Sequence, residues 1–310
     1  MTALLEIKQY IRKFYIKNEV YITYVWKFLL ALMSIGIINS KLGYMQSITN
    51  IAIVLMASLL CAILPPNFIV FMSTVFIVGH LFKLAPECAL IALIVFALMF
   101  LLYFRFSPKD TLLVLLTPLL FFLHIPYVIP LAAGLLATPI SIVSVTFGLV
   151  ISYMITFFSS NTTAFGGEGV QETAIEFKSV ISGIMGDKRM LVMIVAFAIT
   201  IAIVYVIRRS SVDNCWRIAI IAGSICLIVT ALVGNFAAGT NISFWKLILG
   251  TIVSAFIAMG IEFFSFNLDY SRTEKVQFED DDYYYYVKAV PKVTLTAPDR
   301  RVKKINRAKR

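Results

Sequence analysis

From position 21 to 264 the chain repeats one pattern: a long apolar run, then a short break of proline, glycine or charge. The continuous runs cover 21–39, 48–64, 67–82, 87–106, 141–158, 190–207, 216–236 and 242–264. They lack the polar stripe that an amphipathic helix of a soluble protein turns toward water. At 1.5 Å per residue, about 20 apolar residues match the ~30 Å hydrocarbon core of a bilayer. The pattern predicts an all-α fold, a polytopic transmembrane helix bundle. Pro65, Pro66 and Pro86 mark run ends, because proline cannot continue the backbone hydrogen-bond ladder.

The segment 112–139 breaks the rhythm. Pro118, Pro126, Pro130 and Pro139 divide it into two apolar pieces, 112–124 and 127–138. Each piece would be roughly 18–20 Å long as a helix, short of the hydrocarbon thickness. Two short or kinked spans would fit, and so would a re-entrant hairpin. Both keep the chain on the same side afterwards, giving about ten crossings, or eight plus the hairpin. Interrupted helices leave backbone N–H and C=O groups unpaired at membrane depth, where polar cargo can bind. Pro118, His124, Pro126, Tyr127, Pro130, Gly134 and Pro139 are therefore the substrate-path candidates, with the small residues near Gly134 allowing close helix approach.

Charge sets the orientation. Cationic loops are retained in the cytoplasm. With both termini cytoplasmic, 20 Lys and Arg fall inside and 5 outside, leaving Lys27 and Lys246 within runs. An odd number of crossings in 112–139 would export Arg208, Arg209, Arg217 and the whole basic tail. The expected layout is a cytoplasmic lead-in (1–20), a helical membrane domain (21–264) and a cytoplasmic tail (265–310), in the cell membrane. The lead-in lacks a cleavage motif and reads as an amphipathic, cationic helix at the bilayer surface. The loop 159–189 is expected outside, with an amphipathic stretch from Val170 to Ile184.

The tail carries a second pattern. Asp280, Asp281 and Asp282 precede Tyr283, Tyr284, Tyr285 and Tyr286. Aromatic and β-branched residues favour an extended, half-buried strand, which makes 279–296 a docking segment for a cytoplasmic protein partner. Arg300, Arg301, Lys303, Lys304, Arg307, Lys309 and Arg310 form a basic end suited to anionic lipid. No nucleic-acid contact is expected of so short a segment.

Only 14% of the 310 residues are charged, against about 25% in ordinary soluble chains, which excludes a water-soluble domain. The two histidines, His80 and His124, fall near run ends, and the four cysteines form no CxxC pair. There is no GxxxxGK[ST], HExxH or GxSxG motif. No enzyme activity, cofactor or metal is expected. Glu87 heads a run, and Glu262 is positioned to pair with Lys27 or to reach water. The functional expectation is a transport component, either carrier or permease subunit, with 112–139 as the path. The alternative is a non-transporting membrane anchor or scaffold that docks a partner through the tail. A cavity at mid-membrane depth separates the two.

Overall fold

A computed structural model describes residues 2–162, 182–183, 186–212, 214–265, 274–279 and 284–289. The helices run α1 (Thr2–Lys17), α2 (Glu19–Lys41), α3 (Gln46–Thr49), α4 (Ile51–Ile63), α5 (Asn67–Leu84) and α6 (Pro86–Phe106). They continue as α7 (Thr111–Phe122), α8 (Val128–Leu136), α9 (Ser141–Ser160), α10 (Lys188–Arg208), α11 (Cys215–Ala238) and α12 (Phe244–Ser265). Among the described residues, seven are long and apolar enough to cross a membrane: α2, α5, α6, α9, α10, α11 and α12. Their outward faces are apolar, as at Phe104, Val195, Val233 and Phe256. The chain thus has the build of a multi-pass helical membrane protein. The predicted amphipathic stretch 170–184 lies almost wholly outside the described residues.

Three apolar helices are shorter. The run 48–64 resolves into the single turn α3 and the 13-residue α4, about 20 Å long. Asn50 caps α4 by accepting a 3.0 Å bond from the Ala52 N–H. The segment 112–139 becomes α7 and α8, of 12 and 9 residues. The turn between them is closed by His124 in a left-handed conformation (φ 62°). Together α7 and α8 leave one end of the bundle and return to it. Ser107, just after α6, and Ser144, in the first turn of α9, share a buried 2.7 Å hydrogen bond. Both connections to the pair, 107–110 and 137–140, therefore lie at that end. At the opposite end the Lys41 ammonium sits 5.3 Å from the Phe122 ring, so the tip of α7 reaches the end of α2.

The chain divides into two units, Glu19–Phe263 and the combination of Met1–Asn18 with Phe264–Arg310. Within the first, one core joins α2, α4, α5, α6, α7 and α9 around Ile35, Ile69, Ile77, Phe96 and Met154. Another joins α9, α10, α11 and α12 to Tyr127 and α8 around Leu149, Phe197, Ile201 and Leu247. In the second unit, α1 turns Ile7, Ile11 and Phe14 outward, each about half exposed. Residues 274–279 and 284–289 form β1 and β2, antiparallel, with Glu279 opposite Tyr284 and Glu274 opposite Ala289. The expected docking strand therefore has a pairing partner within the tail itself.

Candidate functional site

The strongest site candidate is a small interior cavity of about 30 Å³ lined by α2, α5, α6, α7 and α9. It lies at mid-depth, since Phe96 is the middle residue of α6 and Ile151 is central in α9. Most of its wall is aliphatic: Ile38, Val70, Ile77, Val114, Leu115 and Ile155 contribute. Three hydroxyls interrupt it, those of Ser34, Ser73 and Thr74. Among its described lining residues there is no ionisable side chain. Of these lining residues, only Ile37 and Pro118, on α2 and α7, are part-exposed.

The hydroxyls divide into two kinds. Inside a helix a serine or threonine ordinarily returns its O–H to a carbonyl one turn back. Thr74 does so to Val70 (3.0 Å), and Ser58 to Val54 (2.8 Å). Ser34 and Ser73 do not, and neither does Ser152 on α9, outside the cavity: each is over nine-tenths buried, and none of the three Oγ atoms has a hydrogen-bond partner among the described residues. A buried unsatisfied polar group costs about 1–3 kcal/mol, so these hydroxyls are set apart from those that bond back to their own helices. Pro118 adds a third group. It has no N–H, so the Val114 carbonyl one turn earlier loses its helical donor, and Val114 also lines the cavity.

The other candidates in 112–139 lie elsewhere. His124 is exposed in the α7–α8 turn. Pro126 and Tyr127 are buried at the entry to α8, where the Pro126 carbonyl accepts from the Ile129 N–H at 3.1 Å. The Tyr127 ring stands edge-on to Phe197, at 6.4 Å between centroids, and lies against Gly250. Pro130 is buried in the first turn of α8, Gly134 packs on Val204, and Pro139 is exposed before α9. Of the seven, Pro118 alone lines the cavity. Composition carried no signal for Ser34 and Ser73, because the choice between back-bonding and facing a cavity is made by neighbouring helices.

Polar clasps hold the bundle ends. Buried His80 accepts from the Met45 N–H through Nδ1 (3.1 Å) and meets Asn39 Oδ1 through Nε2 (2.8 Å), which fixes the neutral tautomer with the proton on Nε2. Asn39 in turn donates to the Ile48 carbonyl at 3.3 Å, tying down the connection from α2 to α4. Lys27 donates to the Leu64 carbonyl at the end of α4 (3.2 Å), where a cation also complements the helix dipole. Glu262 pairs with Arg217 at 3.4 Å rather than with Lys27. Arg208 donates to the carbonyls of Leu135 and Ala137 at the end of α8 and lies over the rings of Tyr205 and Trp216.

At the end shared by α5, α6 and α7, the Tyr103 hydroxyl meets Asn67 Oδ1 (3.1 Å) and Thr111 Oγ1 (2.9 Å), and Thr111 also donates to Asn67. Beside it, partial burial pushes the Asp110 carboxyl up from its ordinary value. No group of three or more His, Cys, Asp or Glu able to hold a metal occurs among the described residues.

In the tail, Asp280, Asp281, Asp282 and Tyr283 fall outside the described residues, as do Arg300, Arg301, Lys303, Lys304, Arg307, Lys309 and Arg310. Tyr284, Tyr285 and Tyr286 form the first half of β2, opposite Glu279, Phe278 and Gln277.

The helices define a class, that of multi-pass helical membrane proteins. No protein-family model matches the chain, and neither do the curated proteins or the solved structures compared with it.

Proposed function

We propose that this chain is a transport component of the cell membrane, a carrier or permease subunit, whose binding site is the cavity beside Pro118. One observation carries this reading: a mid-depth cavity beside Pro118 whose lining includes two serines without a hydrogen-bond partner among the described residues. A packed scaffold gains nothing by leaving such groups unsatisfied, whereas a binding site needs them. The out-and-back course of α7 and α8 contributes an even number of turns through the bundle, which supports both termini being cytoplasmic and keeps the basic segments inside. The proline break has a role here too, because a helix without a continuous ladder bends at lower cost, and α7 forms part of the cavity wall.

A transport path must connect mid-depth with water on at least one face. The test uses the full chain in proteoliposomes, with Cys61, Cys88, Cys215 and Cys226 replaced. Ser73→Cys and Ser34→Cys are then exposed to neutral methyl methanethiosulfonate, which reacts with the thiolate and so needs water. Modification of either supports the reading. Failure of both overturns transport and favours the anchor. That second reading has its own observation in the β1–β2 hairpin, because an isolated two-stranded unit is marginal in water and gains stability on a partner. Impermeant labelling of Thr273→Cys in intact cells would refute the cytoplasmic tail.

A further inference from the structure

We infer that the end of the bundle where α10 passes into α11 binds the headgroup of an anionic phospholipid, with Arg208 and Arg209 holding its phosphate. This place is separate from the cavity beside Pro118 and stands whether or not that cavity carries cargo.

Two cations are gathered here without a counter-charge. The Arg208 guanidinium lies 5.3 Å from the centre of the Tyr205 ring, and that of Arg209 lies 5.6 Å from the same ring. Each is held by neutral groups. Arg209 donates to the Tyr205 hydroxyl at 2.7 Å. Arg208 donates to the Leu135 and Ala137 carbonyls and lies 5.7 Å from the Trp216 ring. Neither forms an ion pair with a carboxylate among the described residues, whereas Arg217, next after Trp216, has Glu262 at 3.4 Å. Asp213, in the connecting loop, lies outside the described residues. Like charges fixed about one ring repel each other, and an anion bound to both relieves that repulsion.

The donors suit a phosphate. A guanidinium carries five N–H donors in a planar fork. Arg208 commits its two Nη atoms to carbonyls and Arg209 commits one to Tyr205, so both Nε–H groups and the outer Nη of Arg209 have no partner among the described residues. Such forks match phosphate oxygens in geometry as well as charge.

The position suits a lipid. Tyr and Trp settle at the level of lipid headgroups. Here they stand where two helices of membrane-spanning length meet, since α10 ends at Arg208 and α11 begins at Cys215. Close by in the chain, Val206 and Ile218 are exposed and offer apolar surface to acyl chains. A free anion would use the charges alone, and a phospholipid uses both. A choline headgroup brings its own cation, which two guanidiniums repel, so lipid of net negative charge is favoured over zwitterionic lipid.

The experiment uses the full chain with Trp26→Phe and Trp245→Phe, which leaves Trp216 as the one tryptophan. It is placed in nanodiscs of phosphatidylcholine and phosphatidylglycerol, with one or the other lipid brominated high on an acyl chain. Bromine quenches indole fluorescence at close range, so quenching reads which lipid sits at Trp216. Phosphatidylglycerol should be preferred there by about tenfold. Arg209→Gln leaves the carbonyl contacts of Arg208 in place and should lower the preference about fivefold. Arg209→Lys should retain part of it, keeping the charge and losing the fork. Lys109→Gln, an exposed cation at the same end of the bundle, should leave it unchanged. Equal quenching by the two lipids in the parent overturns the proposal, because the charge is then answered by Asp213 or by solvent. An unchanged preference in Arg209→Gln overturns it too. An equal loss in Lys109→Gln assigns the preference to diffuse surface charge, and a loss on adding inorganic phosphate at constant ionic strength assigns the site to a free anion; either result overturns the lipid site.

Discussion

The two cores of the membrane unit treat the same building materials differently. Around α8, α10 and α11, glycine brings helices to the closest approach that side chains permit. A Cβ at Gly134 would fall 2.6 Å from Val204 Cβ, and one at Gly223 would fall 2.3 Å from Val204 Cγ2. Their hydroxyls are spent locally, Thr200 on Ala196 and Ser224 on Ile220. Around α2, α5, α6 and α7 the packing stops short. It leaves the cavity, and with it Ser34 and Ser73 unsatisfied. The α7–α9 contact is sealed in the same way, since a Cβ at Gly148 would fall 2.4 Å from Thr117 Cβ, so the difference is confined to the helices around Ser34 and Ser73. In lipid, burial from water does not drive helices together, so close contact of this kind carries much of the association between them.

Adding side-chain bulk to each region is the sharpest way to break the comparison. Gly134→Leu should be the most damaging change, above about 3 kcal/mol, because the new Cβ meets the Cβ of Val204, an atom that cannot swing aside. Thermal unfolding in detergent should show loss of the folded monomer. Arg208→Ala should follow, at about 2–3 kcal/mol, since it strips hydrogen bonds to a charged group from the end of α8. Arg208→Lys should recover only part of this, having no planar fork to span two carbonyls.

His80→Ala should cost roughly 1–3 kcal/mol for the polar partners it abandons, the Met45 N–H and Asn39. Faster hydrogen exchange at Met45 would confirm that the loss is local to the clasp. On the cavity side the sign should reverse. Val114→Ile adds a methylene to the cavity and should stabilise by about 0.5–1 kcal/mol, read as a rise in the thermal unfolding midpoint in detergent. Ser34→Ala should change unfolding by less than about 0.5 kcal/mol, since no hydrogen bond is lost. A drop in stability like that of His80→Ala would mean that Ser34 already has a partner, and the contrast between the regions would collapse.

Much of the helical layout was legible beforehand because membrane helices obey a one-dimensional rule. A backbone in hydrocarbon must satisfy its own hydrogen bonds, so an apolar run of sufficient length is a helix whatever its neighbours do. The run 216–236 became Cys215–Ala238, and 87–106 became Pro86–Phe106. Pro118, Pro126 and the left-handed His124 likewise made 112–139 two short helices. Side-chain pairing was not legible. Glu262 had Lys27 or water as its prospects, and its partner proved to be Arg217, because α11 and α12 bring those two ends together.

The sequence by itself marked the apolar runs, the break at Pro118 and the distribution of charge, since each follows from local backbone chemistry or from transfer between water and lipid. Only the tertiary structure decided which hydroxyls are free. Ser34 and Ser58 are both serines within apolar helices, and nothing local distinguishes them. Ser58 returns its proton to Val54, while Ser34 has no partner at the cavity it lines. That difference comes from how closely five helices approach one another. It is a property of contacts distant in the chain, which no run of consecutive residues encodes.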